Sequence, residues 1–167
     1  MAGYVENIDT ANGSPRLPSL PGRLAIVERI MAEAIVDEQV RSYRPRAQFT
    51  FFCGEEPESL AGREGQLELV GRCLEWFVFD YTIPDLCQTP AQYWFSRNSQ
   101  RLSRAARQDA ADCLNYQISV FEIVEVHPIC GFVAIDLLRN GKTYFVDEHV
   151  INDQIEPGQM LLGRLFP

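Results

Sequence analysis

QLELVGRCLEWFVFDY, residues 66–81, is the most apolar and aromatic run in the chain, and its reading decides the fold. Leu67, Val70, Leu74, Phe77, Val78 and Tyr81 recur at steps of three and four, which places them on one face of a helix. Trp76 and Phe79 point away from that face. A helix that is apolar on more than one face packs on more than one side. The run is therefore expected to be a wall against which both a preceding helix and a later group of strands close. EWFVFDY alone also suits a strand, because aromatic and β-branched side chains favour extended backbone. The four-turn periodicity upstream decides for helix.

Outward from this run, 167 residues with 46% hydrophobic content suffice for one ordinary domain with a real core. No window approaches the roughly 18 uninterrupted apolar residues of a membrane span. The first 22 residues, MAGYVENIDTANGSPRLPSLPG, have neither the basic nor the apolar part of a secretory signal, so a cytoplasmic location is expected. Cys53, Cys73, Cys87, Cys113 and Cys130 are odd in number and widely spaced, which predicts reduced, buried thiols rather than a disulfide framework. A net charge of −8 works against general affinity for nucleic acid or anionic membrane, since phosphate binding draws on clustered positive charge. Much of that charge falls in residues 51–90, where Glu55, Glu56, Glu58, Glu64, Glu68, Glu75, Asp80 and Asp85 face only Arg63 and Arg72.

Residues 1–19 are rich in Gly, Ser, Asn and Pro and read as a flexible arm. Leu24, Val27, Ile30, Met31, Ala34 and Ile35 mark the inner face of a first helix that runs to Tyr43 and is ended by Arg44-Pro45. QFTFFCG, residues 48–54, reads as a strand or an apolar loop. Thr89-Pro90-Ala91-Gln92 is a complete helix start, with a capping threonine, a proline at the first helical position and a capping-box glutamine. Ser103 caps the next helix, whose inner face is Ala105, Ala106, Ala110, Cys113 and Leu114. From Ser119 the period turns to alternation. Val120 to Val126, FVAIDLL at 132–138, TYFVDEHV at 143–150 and MLLGRLF at 160–166 read as strands. Asn140-Gly141 supplies a type I′ turn signal between the second and third. The fold class is thus α+β: N-terminal helices packed on a small C-terminal antiparallel β-meander or partial barrel. The division is an arm over 1–19 and one domain over 20–167, with a helical part to 116 and a β part from 117.

EWFVFDY followed by SVFEIVEVHPICGFVAIDLLRNGKTYFVDE and PGQMLLGRLFP resembles an uncharacterised group of bacterial proteins. In that group an EWF-x-FDY helix precedes a small β-unit of the type FEV-x-G-x-DL-x-G-x-V. The resemblance covers residues 66–167 and implies a shared fold with no assigned activity. Some members also carry a cysteine-rich, zinc-binding SEC-C motif. No closely spaced cysteines stand in this chain, so that zinc function is not carried over.

Chemistry-bearing patterns are sparse. His127-x-x-Cys130 with His149 lacks the second closely spaced pair that a zinc site needs, so a turn with a histidine and a structural thiol is the reading. Glu75 and Asp80 flank the aromatic cluster, and Asp136 with Asp147 fall on adjacent strands; these are the carboxylate pairs to test for general acid–base geometry. Arg97, Arg101, Arg104 and Arg107 follow Tyr93 and Trp94 at helical spacing, the ingredients of a phosphate or single-stranded nucleic-acid contact. The Ser103 cap interrupts that face, and pairing with the acidic segment is the simpler role. Candidate binding residues are Trp76 and Asp80 on the aromatic helix, with Tyr93, Trp94, Arg97, Arg101 and Arg104 beyond it. No catalytic residue, metal ligand or cofactor is assigned. The leading function is a non-enzymatic module for protein interaction or self-association, with sheet edges as one contact mode. A small hydrolase or ligand-binding protein using Glu75, Asp80 or His127 is the alternative, and RNA or nucleotide binding through the arginine segment is the third.

Overall fold

Apolar positions at helical spacing and the capping signals dominate the first two thirds of the chain, and alternation dominates the last third. The computed structural model follows that division and describes residues 2–7, 21–54, 66–127, 130–147 and 155–166. Six α-helices are described: α1 (Pro21–Val36), α2 (Glu38–Arg41), α3 (Arg44–Phe51), α4 (Gln66–Phe79), α5 (Pro90–Asn98) and α6 (Arg104–Cys113). Five strands are described: β1 (Ala2–Asn7), β2 (Gln117–His127), β3 (Gly131–Asp136), β4 (Thr143–Asp147) and β5 (Met160–Phe166). The layout is α+β. Two compact units part between Leu114 and Asn115, where one domain over 20–167 was expected: a helical unit, 21–114, and a β unit of 1–20 with 115–167.

In the helical unit α1 is the hub. It packs against α2, α4, α5 and α6, whereas α4 packs against α1, α3 and α5. The aromatic run does form a helix, but its first turn is wet. Leu67 is 89% exposed, while Cys73, Phe77, Val78 and Phe79 are buried. Phe79 therefore belongs to the buried face and Leu67 does not, because packing on three neighbours begins only in the second half of the helix. Phe51, Trp76, Tyr81 and Phe77 form a chain of tilted ring contacts 5.5–5.8 Å apart.

Two expectations upstream are corrected. The first helix ends at Val36, seven residues earlier than expected, because the Asp37 side chain accepts the Gln39 N–H at 2.9 Å and starts the separate turn α2. Arg44-Pro45 then opens α3 instead of closing α1. Proline is harmless in a first turn, where its missing N–H has no intrahelical partner. QFTFFCG is accordingly mostly helix, ending at Phe52 with Cys53 and Gly54 at positive φ. The α5 start is as read. Gln92 N–H donates to Thr89 Oγ1 at 3.2 Å, Thr89 N–H donates to Gln92 Oε1 at 2.9 Å, and Pro90 sits in the first turn.

In the β unit the four C-terminal strands run in the order β4-β3-β2-β5, an antiparallel sheet that is open on its own. Strand β1 pairs antiparallel with β4, Tyr4 opposite Asp147, and parallel with β5, Tyr4 opposite Phe166, so that the five strands close into a barrel. Residues 2–7 are thus a strand and not part of a flexible arm; residues 1 and 8–19 of that expectation lie outside the described residues. Closure occupies both sheet edges, which removes edge pairing as a contact mode for the closed barrel. Phe121, Ile123, Phe132, Ala134, Tyr144, Val146, Ile155 and Leu165 fill the interior. Asn140 and Gly141 have φ of +57° and +68°, and Lys142 N–H donates to Arg139 O at 3.3 Å, the expected turn at the tip of the β3–β4 loop.

Candidate functional site

The candidate binding residues do not form one site. Trp94 is 4% exposed, and its indole Nε1–H donates to Glu33 Oε2 at 2.7 Å across the α1–α5 contact. It is a core residue with a satisfied polar tip, not a stacking platform. Arg29 completes this clasp, with Nε 2.8 Å from Glu33 Oε1 and its guanidinium over the Trp94 ring at 5.8 Å. The Arg29 hydrogen bond, with help from the Trp94 indole, holds the Glu33 carboxyl below the ordinary glutamate value against the opposing effect of burial.

Tyr93 donates its hydroxyl to Gln39 Oε1 and accepts from Arg97 at 2.5 Å, while the Arg97 guanidinium also covers the Tyr93 ring. That bond raises the Arg97 pKa further. Arg101 lies in a single 3₁₀ turn, Ser99–Arg101, and Arg104 begins α6 after a Ser103 cap, with Ala106 N–H to Ser103 Oγ at 3.2 Å. The arginines thus stand on three successive elements, and Arg107 is turned onto Ser99 O at 2.7 Å. Trp76 is held between Phe51 and Tyr81, and Asp80 follows the last turn of α4 with its N–H on Trp76 O at 2.8 Å.

Glu75 is 3.9 Å from Arg72. Asp136 and Asp147 stand at opposite ends of the β3–β4 hairpin: Asp136 N–H bonds Lys142 O beside the tip, whereas Asp147 lies just past the Phe132–Val146 pair at the other end. Asp136 is fully buried inside the barrel. It accepts from Gln117 Nε2, from Ser119 Oγ, and from the Leu138 and Arg139 amides at 3.0 and 3.1 Å. Tyr144 donates to Gln117 Oε1 at 3.2 Å, and the Lys142 ammonium lies 5.0 Å from the Tyr144 ring. This is a structural plug that anchors the β3–β4 loop.

His127 pairs loosely with Glu125 at 3.6 Å and lies against the Phe145 ring. Cys130 is half-buried, with its N–H on His127 O at 3.1 Å; His149 lies outside the described residues. Among the described residues no group of three His, Cys, Asp or Glu side chains is placed to hold a metal ion. All five thiols are free, but only Cys73 and Cys113 are buried, while Cys53 and Cys87 are exposed at positive-φ turn positions. Burial raises the Cys73 thiol pKa.

The feature that stands out is on the outside of the barrel. Strand alternation sends Phe121, Ile123, Phe132 and Leu165 inward, so Ile118 and Val120 on β2, Ile135 on β3, and Met160 and Leu162 on β5 face outward. Register aligns them in rows. Val120 stands opposite Leu162, and Leu137, whose N–H donates to Val120 O at 2.9 Å, extends that row. Glu122 stands between Ile135 and Met160 in the next row. Met160 is 71% exposed, Leu162 70%, Ile118 44% and Leu137 43%. Below them Arg164 is buried, its guanidinium 3.9 Å from the Tyr116 ring. The signal for this face was present in MLLGRLF, which is apolar in both phases of its alternation, as a strand covered on two sides is.

Among the described residues no helix is long and apolar enough to cross a membrane. Compared with known proteins, the chain matches no family model, no curated protein and no solved structure.

Proposed function

We propose that this protein is a non-enzymatic interaction module, and that the outward β2–β5 face is where a second copy of the chain docks. The observation that carries the reading is the row of Leu137, Val120 and Leu162, with Ile118 and Met160 beside it, on the outside of a barrel whose inside is already full. Contiguous exposed apolar surface of this kind marks contact sites. Glu122 stands within the patch, and Arg164, opposite Ile118, is already buried, so two such faces meet with little exposed charge to desolvate. A stable interface buries roughly 800 Å² per partner, and a face of this few apolar side chains is proposed to associate weakly and in a way that depends on protein concentration. A cytoplasmic setting fits five free thiols.

The net charge of −8 supplies the discriminating test. Like-charged copies held by apolar contact associate more strongly as salt rises, because screening removes their repulsion; a basic partner would be released. Sedimentation equilibrium at low and high salt is expected to show a dimer favoured by salt and abolished by Leu162→Glu. A monomer at all concentrations, or a dimer indifferent to Leu162→Glu, overturns the proposal.

A further inference from the structure

Away from the barrel, the helical unit holds a cleft of about 520 Å³ at the junction of α1, α2 and α3. Its size lies within the range of small-molecule sites, roughly 300–1,000 Å³. One wall is apolar, from Ile35, Val36 and Pro45; the other carries Arg41, Ser42 and Arg44. Several cations of this acidic chain have partners: Arg29 has Glu33, Arg72 has Glu68 and Glu75, and Arg97 has Tyr93. Among the described residues neither Arg41 nor Arg44 has an ion pair or a side-chain hydrogen bond. Glu38 stands one turn before Arg41 on α2, and Asp37 caps that turn, its carboxylate accepting the Gln39 N–H at 2.9 Å. The cleft also borders the start of α3, whose N-cap Tyr43 supplies no side-chain acceptor, so the uncapped first turn adds its partial positive charge.

We infer that this cleft binds a small organic oxyanion, a phosphate monoester or carboxylate carried on an apolar group. The two guanidiniums take the oxyanion, and Ile35, Val36 and Pro45 take the apolar body; the Ser42 hydroxyl donates to Gln39 O at 3.3 Å. Arginine suits this role because its planar fork matches oxyanion geometry and is weakly hydrated. The site lies wholly within the helical unit and does not depend on self-association through the barrel.

The test is a titration of the full chain with phenyl phosphate, inorganic phosphate and benzoate, followed by NMR at the Arg41, Ser42 and Arg44 amides and the arginine Nε–H groups. Phenyl phosphate or benzoate is expected to saturate these signals, with affinity about tenfold above that of inorganic phosphate from the buried ring. Whichever of the two binds more tightly identifies the oxyanion. Arg41→Gln and Arg44→Gln are each expected to weaken binding about tenfold. Arg41 is exposed, so its variant leaves the fold intact and keeps the result interpretable. Val36→Asp is expected to reduce phenyl phosphate binding while leaving inorganic phosphate little changed. Equal binding of phenyl and inorganic phosphate, no saturation by any of the three, or a double arginine variant that titrates like the native chain overturns the inference.

Discussion

Replacing Asp136 by alanine removes the one acceptor shared by four donors inside the barrel. The donors do not suffer equally. Leu138 and Arg139 lie in an exposed loop, and water replaces the lost bonds to their amides. The Ser119 hydroxyl is 1% exposed and the Gln117 amide is half-buried, so neither finds a new partner without opening the barrel. At about 1–3 kcal/mol for each buried donor left unsatisfied, the substitution costs about 3–5 kcal/mol. That is a large fraction of the 5–15 kcal/mol typical of a domain. Asp136→Asn is expected to cost much less, about 1 kcal/mol. Its oxygen keeps Ser119 and the loop amides, and its NH₂ group is accommodated if Gln117 turns its amide over, because the Tyr144 hydroxyl then accepts where it had donated.

Tryptophan fluorescence is the wrong probe for this experiment, since Trp76 and Trp94 are the only tryptophans and both lie in the helical unit. Native-state hydrogen exchange reads the barrel directly. Amides such as Ile123, bonded to Gln159 O at 2.9 Å, should lose roughly two to four decades of protection in Asp136→Ala and about one decade or less in Asp136→Asn. Native protection in Asp136→Ala, or an asparagine variant less stable than the alanine one, would refute the assignment of Asp136 as the plug.

Gly131→Ala should be similarly damaging to the barrel. Gly131 has φ of +129°, and a Cβ there would stand 2.0 Å from Val146 O, so strain of about 1–3 kcal/mol is joined by a forced separation of β3 from β4; the variant's thermal midpoint, followed by loss of β signal in circular dichroism, checks this. At the α1–α5 clasp the Glu33 carboxyl is held below its ordinary value, so its contribution is present above that value and lost as pH falls through the lowered one. Below about pH 4.3 the Trp94 emission of the native chain should shift as the clasp opens, and Glu33→Gln should flatten that dependence; identical acid profiles would count against the clasp.

Short-range signals carried most of the secondary structure. The Thr89–Gln92 box, the Ser103 cap, the Asn140-Gly141 turn and the alternation of β2 and β5 each act within a few residues, so a reader of the chain meets cause and effect together. Even the errors upstream of residue 54 arose where two local rules competed: Pro45 ends a helix or sits in the first turn of a new one, and here Tyr43 is the cap and Arg44 already opens α3. The candidate site was less legible. Tyr93, Trp94 and the arginines looked like one surface in sequence, yet Trp94 is spent on Glu33 and Arg97 on Tyr93.

By itself, then, the sequence determined the starts of α5 and α6, which residues of the C-terminal strands alternate, and that no familiar catalytic spacing is written in the chain. Only the tertiary structure decided that residues 2–7 close a barrel from about 140 residues away, that Asp136 is sealed inside it, that both phases of β5 are apolar for different reasons, and that Arg41 and Arg44 share a cleft. Capping and alternation depend on neighbours along the backbone. Burial, closure and the pairing of charges depend on neighbours in space, and those are chosen only when the whole chain has packed.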